Sequence, residues 1–138
     1  MIWGIQWDET LKWLIDTGEK TYREVGSNST SWGNYQDNSF TYYTNTSKST
    51  ATKSSGSTTI IPSGAYEGAN ANNVYDLAGN LRDMTLESNG EGTTTYRYVR
   101  GGIYNADGSN LPSSNRYNGI SPSDSGDGIG FRCTLFIK

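Results

Sequence analysis

Histidine is absent from the 138-residue chain, and Cys133 is its one cysteine. Without imidazole the chain cannot build histidine-based metal sites or use histidine as a general base. A single thiol also excludes an internal disulfide and any site made of several thiolates. These absences remove the commonest designs of hydrolases and oxygenases, and we expect neither a metal ion nor a cofactor.

Positive charge and long apolar runs are also scarce. The formal net charge is -3 and the Lys and Arg residues form no cluster, so the electrostatic footprint of a nucleic-acid-binding protein is missing. No apolar run approaches the roughly 20 residues that a membrane-spanning helix needs. We therefore expect no nucleic-acid partner and no membrane insertion. The apolar opening Met1–Gly4 runs straight into a helix pattern, which is typical of the C-terminal part of a longer protein.

Glycine and small polar residues are abundant instead. The chain has 17 Gly and only 33% hydrophobic residues, and 10 Tyr with 4 Trp supply much of its apolar area. Gly, Ser, Thr and Asn stabilise turns and weaken helix interiors. The length fits one domain, residues 1–138. The composition therefore predicts a single, loop-rich domain with a small aromatic core.

The spacing of apolar residues predicts the regular elements. A helix is expected from Gly4 to Gly18, with one apolar face, and a second short helix from Thr21 to Val25. The apolar face of the first helix comprises Trp7, Leu11, Leu14 and Ile15. Residues 26–59 are expected to form a long loop held to the core by aromatic side chains, the alternative being an exposed aromatic platform for sugars. Strands are predicted at residues 81–87, 93–100 and 129–137.

Three short segments follow one another in the second half of the chain. They are Asn73–Leu81 (NVYDLAGNL), Arg100–Gly102 (RGG) and Gly130–Arg132 (GFR). Their order and spacing resemble the formylglycine-generating-enzyme-like, or sulfatase-modifying-factor, branch of the C-type-lectin fold. The resemblance implies an α+β domain that is loop-rich, with a small antiparallel sheet and one or two helices. The chain departs from the family at Asp83–Met84, where the family usually has an acidic residue followed by Trp.

The residue types in these segments have structural explanations. Gly79, Gly101 and Gly102 can adopt a positive φ or admit a second backbone at close range. Arg100 and Arg132 each carry enough donors to satisfy several backbone carbonyls. We interpret all three segments as parts of the scaffold.

The resemblance also bears on catalysis. The formylglycine-generating enzymes use paired cysteines shortly after the Arg-Gly-Gly element, and Ala106 and Leu111 occupy those places here. Neither residue can supply the thiolate that this chemistry needs. Iron-dependent relatives need histidine ligands, which the chain lacks, and Cys133 is expected to be a small buried hydrophobe in the final strand. The chain is therefore expected not to be an enzyme and to have no catalytic residues.

The remaining branch of the family consists of binding proteins, and the chain resembles the variable proteins of diversity-generating retroelements from phages and bacteria. Such elements mutate adenines, so that Asn codons of the AAY type become NNY codons, which cannot encode Lys, Glu, Gln, Trp or Met. Residues 103–128 contain none of these five types, whereas residues 1–102 contain 4 Lys, 6 Glu, 2 Gln, 4 Trp and 2 Met. Loops rich in Gly, Ser and Asn also lack these residues for other reasons. We nevertheless favour diversification and interpret residues 103–128 as a variable ligand-binding loop.

Tyr and Asn at such a surface would act as they do in antibody paratopes, where Tyr provides rigid contact area and Asn adaptable hydrogen bonds. Pro112 and Arg116 are expected to belong to the scaffold. The run Asp124–Gly128 has the composition of a calcium loop but lacks the Glu and the ligand spacing of an EF-hand, and we interpret it as a solvated turn. The predicted ligand contacts are Ile103, Tyr104, Asn105, Asp107, Asn110, Leu111, Tyr117, Asn118, Ile120 and Asp124.

The expected function is recognition of a protein or glycan ligand on a cell or particle, by a domain carried on a phage virion or a bacterial surface. Two alternatives stay open. The domain could be a structural or adhesin module of a phage tail or bacterial surface protein, in which the loop packs against a sister subunit. It could also be an enzyme with a degenerate activity, which predicts a deep pocket with convergent polar groups. The oligomeric state is open.

Overall fold

The first long element is the predicted amphipathic helix. In the computed structural model, which describes residues 1–89 and 95–133, helix α1 spans Gly4–Asp16. Its start is fixed by the backbone N–H of Trp3, which donates to Gln6 Oε1 at 2.8 Å. Its end is followed by Gly18 at φ +76°, a conformation that commonly terminates helices. Trp7, Leu11 and Leu14 are buried, so the predicted apolar face is confirmed.

The predicted second helix, α2, spans Tyr22–Gly26. Thr21 caps it: the Thr21 hydroxyl accepts the Glu24 N–H at 3.2 Å, and the Glu24 carboxylate accepts the Thr21 N–H at 2.8 Å. This reciprocal pair satisfies two backbone donors that a helix start otherwise leaves free. The prediction of a short helix here is confirmed.

Residues 26–59, for which the sequence predicts a long loop, contain a hairpin. Strands β1, Phe40–Tyr43, and β2, Thr50–Lys53, pair antiparallel. Trp32 and Tyr35 are buried, so aromatic side chains do attach this stretch to the core. Because their rings are enclosed, these two residues cannot form an exposed platform for sugars. The segment is therefore not one long loop, because it contains this hairpin and a single 3-10 turn at Thr30–Trp32.

The second half of the chain builds two sheets. A short hairpin comes first, and a four-stranded sheet with the order β7-β6-β5-β8 follows. Strands β6 and β7 pair antiparallel with their neighbours, whereas β8 runs parallel to β5. The strands are β3, Asn70–Ala71; β4, Val74–Tyr75; β5, Arg82–Asn89; β6, Tyr96–Arg100; β7, Arg116–Ile120; and β8, Ile129–Phe131.

Two sequence predictions need correction in this sheet. Residues 103–128 are not one loop, because they contain strand β7 at an edge of the sheet. The predicted closing strand is shorter than expected: β8 ends at Phe131, and Arg132 and Cys133 lie outside it. The remainder of that prediction, residues 134–137, lies outside the described residues.

The sheet and helix α1 enclose the core. Helix α1 packs against β5 and β6, and Trp7, Leu14 and Leu77 are almost completely buried between the layers. The arrangement of few helices and small sheets confirms the predicted α+β class. None of the helices in the described part of the chain is long and apolar enough to cross a membrane.

Candidate functional site

The first two motif segments meet at a point where two backbones approach closely. The Gly79 N–H donates to the Gly101 carbonyl at 2.6 Å, and Gly79 forms an isolated bridge with Asn34. A Cβ on Gly79 would lie 2.3 Å from the Asn34 carbonyl oxygen, and the Gly79 φ is +69°. Only glycine fits this position. The motif thus joins the end of β6 to the segment that contains Asn34.

Asn80, the next residue, is a buried hydrogen-bonding hub. Its Oδ1 accepts from Asn34 Nδ2 at 2.9 Å and from the Ile61 N–H at 3.2 Å, and its Nδ2 donates to the Ile61 carbonyl at 3.1 Å. Its own carbonyl accepts the Tyr104 N–H at 2.9 Å. The motif therefore fixes the point at which the predicted variable segment begins.

Arg100 and Trp7 hold the predicted variable segment at residues 113 and 114. The Arg100 guanidinium donates to the Ser114 carbonyl at 3.1 Å and forms an ion pair with Asp8. The Trp7 indole N–H donates to the Ser113 carbonyl at 3.0 Å. The sequence predicts that Arg100 satisfies several carbonyls, whereas the structure gives it one carbonyl and one carboxylate. Both contacts connect helix α1 to residues 113 and 114.

Arg132, in the third motif, has the same kind of contacts. Its guanidinium donates to Asp83 Oδ2 and to the Asp76 carbonyl, both at 2.6 Å. As with Arg100, the partners are one carboxylate and one carbonyl, and not the several carbonyls that the sequence predicts. Burial raises the pKa of Asp83, and the nearby Arg132 opposes that rise. Burial also raises the pKa of Asp76. In the described ranges no three His, Cys, Asp or Glu side chains come close enough to hold a metal ion.

The ten predicted contact residues differ in exposure. Ile103 is 9% exposed and belongs to the interior, so it offers no surface to a ligand, and a Cβ on Gly128 would meet its Cδ1 at 2.6 Å. Tyr104, Asp107, Leu111 and Ile120 are half-buried. The exposed members of the set are Asn105, Asn110, Tyr117, Asn118 and Asp124.

The structure divides the exposed and half-buried members into two groups. Residues 104–111 follow the motif glycines and lie against the segment that contains Asp37, where the Gly108 N–H donates to Asp37 Oδ1 at 3.1 Å. Residues 117–124 belong to the edge strand β7 and to the first part of the loop after it. We call these two groups together the candidate binding surface.

The edge strand carries the most exposed aromatic residue of that surface. Tyr117 is 47% exposed, and the Arg82 guanidinium lies 5.1 Å from the centre of its ring. Arg116, predicted to be scaffold, pairs with Glu87, and its guanidinium lies 3.8 Å from the Tyr98 ring centre. Guanidinium groups over aromatic faces are attracted by the ring quadrupole. Arg82 therefore lies against the Tyr117 ring, and Arg116 links β7 to Tyr98 of β6 and Glu87 of β5.

Two neighbours of the surface lie outside residues 103–128, the segment in which the sequence predicts the ligand contacts. Arg82 is at the start of β5, and Tyr96, which is 40% exposed, is at the start of β6. The signal available in the sequence was the alternation of the 93–100 strand, which places Tyr96 on a sheet face. Their proximity to β7 follows only from the strand order.

The loop from Ser121 to Gly128 carries Asp124. The Asp124 carboxylate accepts the Ser121 N–H at 2.8 Å, which is a local turn contact, as predicted for a solvated turn. A cleft of about 290 Å³ lies beside the loop, lined by Asp124, Met84 and Phe131 among others. Phe131 is 66% exposed. The loop thus combines polar backbone with an apolar rim.

Ala106 and Leu111 occupy the positions of the paired cysteines in the resemblance to formylglycine-generating enzymes. Ala106 is half-buried and its carbonyl accepts the Gln36 N–H at 2.9 Å. Leu111 is half-buried. Cys133 is exposed, so the prediction that it is a buried hydrophobe is wrong: β8 ends before it and leaves its side chain outside the core. The candidate binding surface offers aromatic, amide and carboxylate groups for stacking and hydrogen bonding.

Comparison with known proteins gives one family. Residues 12–136 match the model of the sulfatase-modifying factor enzyme 1-like domain. Neither curated proteins nor solved structures gave a significant match. The match covers nearly the whole chain and includes all three motif segments. The chain therefore belongs to the sulfatase-modifying factor enzyme 1-like domain family.

Proposed function

We propose that this domain binds a protein or glycan on a cell or particle through the candidate binding surface, and that a diversity-generating retroelement varies the residues of that surface. The observation that carries the proposal is that one segment has both an unusual composition and an anchored backbone. The segment that lacks Lys, Glu, Gln, Trp and Met is residues 103–128. Within this segment, motif residues hold the backbone at Tyr104 and at Ser114, and side chains between these two points are exposed.

The arrangement of anchors supports a recognition function. Asn80 receives the Tyr104 N–H at one end, and Arg100 donates to the Ser114 carbonyl further along. Rigid scaffolds that position surface loops are the usual carriers of binding sites. Side chains between fixed backbone points can change without unfolding the domain.

The proposal also states that the domain does not carry out the formylglycine-generating reaction. The formylglycine-generating reaction depends on paired thiolates, and Cys133 is the one cysteine in the sequence. It lies on the exposed surface and beside Arg132, away from Ala106 and Leu111 in the sequence. A binding role needs none of these groups.

Deep sequencing of the coding region from its source population is the direct test of diversification. We expect substitutions to concentrate at adenine-containing codons for exposed residues such as Asn105, Asn110 and Asn118, with residues 1–102 nearly constant. Substitutions spread evenly along the gene would contradict the proposal and would leave a fixed adhesin as the better interpretation.

A substitution at the surface tests binding separately. Tyr117→Ala removes an exposed ring and should weaken ligand binding by at least about ten-fold, as truncation of an aromatic hot spot does. The melting temperature should change little, because Tyr117 is exposed at the sheet edge. The matched control is Tyr22→Ala, which removes a ring that is 79% exposed on helix α2. Equal losses of binding in both variants, or a large loss of stability in Tyr117→Ala, would exclude a contact role.

A further inference from the structure

The first part of the candidate binding surface rests on a segment far away in sequence. The Ser29 N–H donates to the Gly108 carbonyl at 3.0 Å, and the Gln36 N–H donates to the Ala106 carbonyl at 2.9 Å. The Ser29 hydroxyl accepts the Ser113 N–H at 2.9 Å. Residues 29–37 therefore hold the backbone of residues 106–113 at three points, and each bond reaches a main-chain group.

Asp37 adds a fourth bond, and the only one of the set made by a carboxylate. Its Oδ1 accepts the Gly108 N–H at 3.1 Å, and its Oδ2 accepts the Thr30 hydroxyl at 2.6 Å. Hydrogen bonds to a charged acceptor are roughly twice as strong as neutral ones. The Asp37 side chain thus bridges the supporting segment and the middle of the surface segment, with one oxygen on each.

Gly108 is fixed by space as well as by these bonds. It is buried, and a Cβ there would lie 2.3 Å from the Thr30 backbone nitrogen. Ser113 is fully buried, and its hydroxyl donates to the Val25 carbonyl at 3.1 Å. Asn105 and Asn110, on either side of Gly108, are exposed. Anchored and free positions therefore alternate within the surface.

We propose that Asp37 is a positioning residue for the candidate binding surface. Its carboxylate fixes the backbone of residues 104–111 and thereby presents whatever side chains stand at the exposed positions. The inference rests on the proposed binding function and extends it, because it assigns the control of loop geometry to a residue outside residues 103–128. Since the contact is to the Gly108 main chain, it persists when neighbouring side chains change.

The first test needs no ligand. In Asp37→Ala the Gly108 amide loses its acceptor, and its hydrogen-exchange rate in the folded protein should rise about ten-fold or more. The amides of β5 and β6 should keep their rates. In Asp37→Asn the rate should rise less than in Asp37→Ala, because the amide Oδ1 still accepts from Gly108, although without charge, and the Thr30 hydroxyl can accept from the new Nδ2.

The matched control is Asp16→Ala, which removes an exposed carboxylate paired with Lys12 on helix α1. It changes the net charge by the same amount and leaves residues 29–37 intact. An unchanged Gly108 exchange rate in Asp37→Ala, or an equal rise in Asp16→Ala, would overturn the assignment.

The second test measures binding with one defined probe, the tightest peptide selected from a displayed random library against the parent domain. Asp37→Ala should weaken that peptide at least about ten-fold, Asp37→Asn should restore most of the affinity, and Asp16→Ala should have no effect. Faster Gly108 exchange with unchanged affinity would refute a positioning role in binding. A screen of peptides and glycans that yields no binder would count against the proposed function, and the exchange experiment would still decide whether Asp37 fixes the loop.

Discussion

Replacing Asn80 with alanine removes a buried amide that bonds to both backbone groups of Ile61. The Asn80 Oδ1 accepts the Ile61 N–H at 3.2 Å, and its Nδ2 donates to the Ile61 carbonyl at 3.1 Å. Ile61 is 3% exposed, so water does not readily replace these partners. The substitution leaves the Ile61 N–H and carbonyl without these partners inside the domain, whereas Asn34 Nδ2, which also donates to Asn80 Oδ1, keeps its second bond to the Thr59 carbonyl.

The expected magnitude follows from these two groups and from the backbone. An orphaned buried donor or acceptor costs about 1–3 kcal/mol, and alanine at a left-handed position adds about 1 kcal/mol. The Asn80 φ is +57°, so both contributions apply. We expect Asn80→Ala to lower the free energy of unfolding by about 3–7 kcal/mol.

The chain contains a matched control for the backbone contribution. Asn73 has a φ of +65° but is exposed, and its side chain forms no hydrogen bond with the described residues. Asn73→Ala should therefore cost only about 1 kcal/mol. Urea titrations of both variants, followed by tryptophan fluorescence, give the two free energies and show from the slope whether unfolding stays two-state. Equal losses in the two variants would refute the argument, since the buried amide would then contribute nothing beyond its backbone conformation.

Two further predictions concern titration and accessibility. Burial raises the pKa of Asp76 above its ordinary value of 3.8, so the folded state binds the proton more tightly and stability falls as the pH rises from 3.8 through the folded pKa. Asp76→Asn should flatten that fall and be more stable than the parent at pH 7, with the difference vanishing in acid; a pH series of urea midpoints would contradict this if the two curves stayed parallel. The exposed Cys133 should react with a maleimide in the folded protein within minutes, and labelling that required denaturant would disprove its exposure.

The sequence predicts the parts of the fold that have a regular pattern. The α1 face repeats at helical spacing, and Thr21 with Glu24 marks a helix start, so both helices are recognisable. The strand β1–β2 hairpin has no comparable signal. Lys53 in β2 is 2% exposed, with its ammonium donating to the Tyr35 carbonyl at 2.7 Å. Nothing in a polar stretch indicates that a lysine will face inward, because its partners are carbonyls brought there by the chain fold.

The sequence predicts the candidate binding surface as a segment but does not predict its shape. The absence of five residue types marks residues 103–128, but the sequence pattern predicts one loop there. Strand β7 contains only Tyr117 and Ile120 as large apolar residues, too few for a strand pattern. Ile103 looks the same in sequence as an exposed contact, yet the close approach of Gly128 encloses it. Tertiary contacts decide both cases.

The loop that connects β7 to β8, residues 121–128, is a suitable place to insert a foreign peptide. These strands occupy opposite edges of the sheet and run parallel, because β6 is antiparallel to both β5 and β7 while β8 is parallel to β5. Residues 121–128 therefore cross three inter-strand spacings of about 4.8 Å and also return along the length of the strands. Residues 122–127 are exposed, and doubling a flexible loop adds only about 0.6 kcal/mol of closure entropy. A foreign peptide grafted between Ser123 and Gly126 should therefore be displayed by a domain that stays folded.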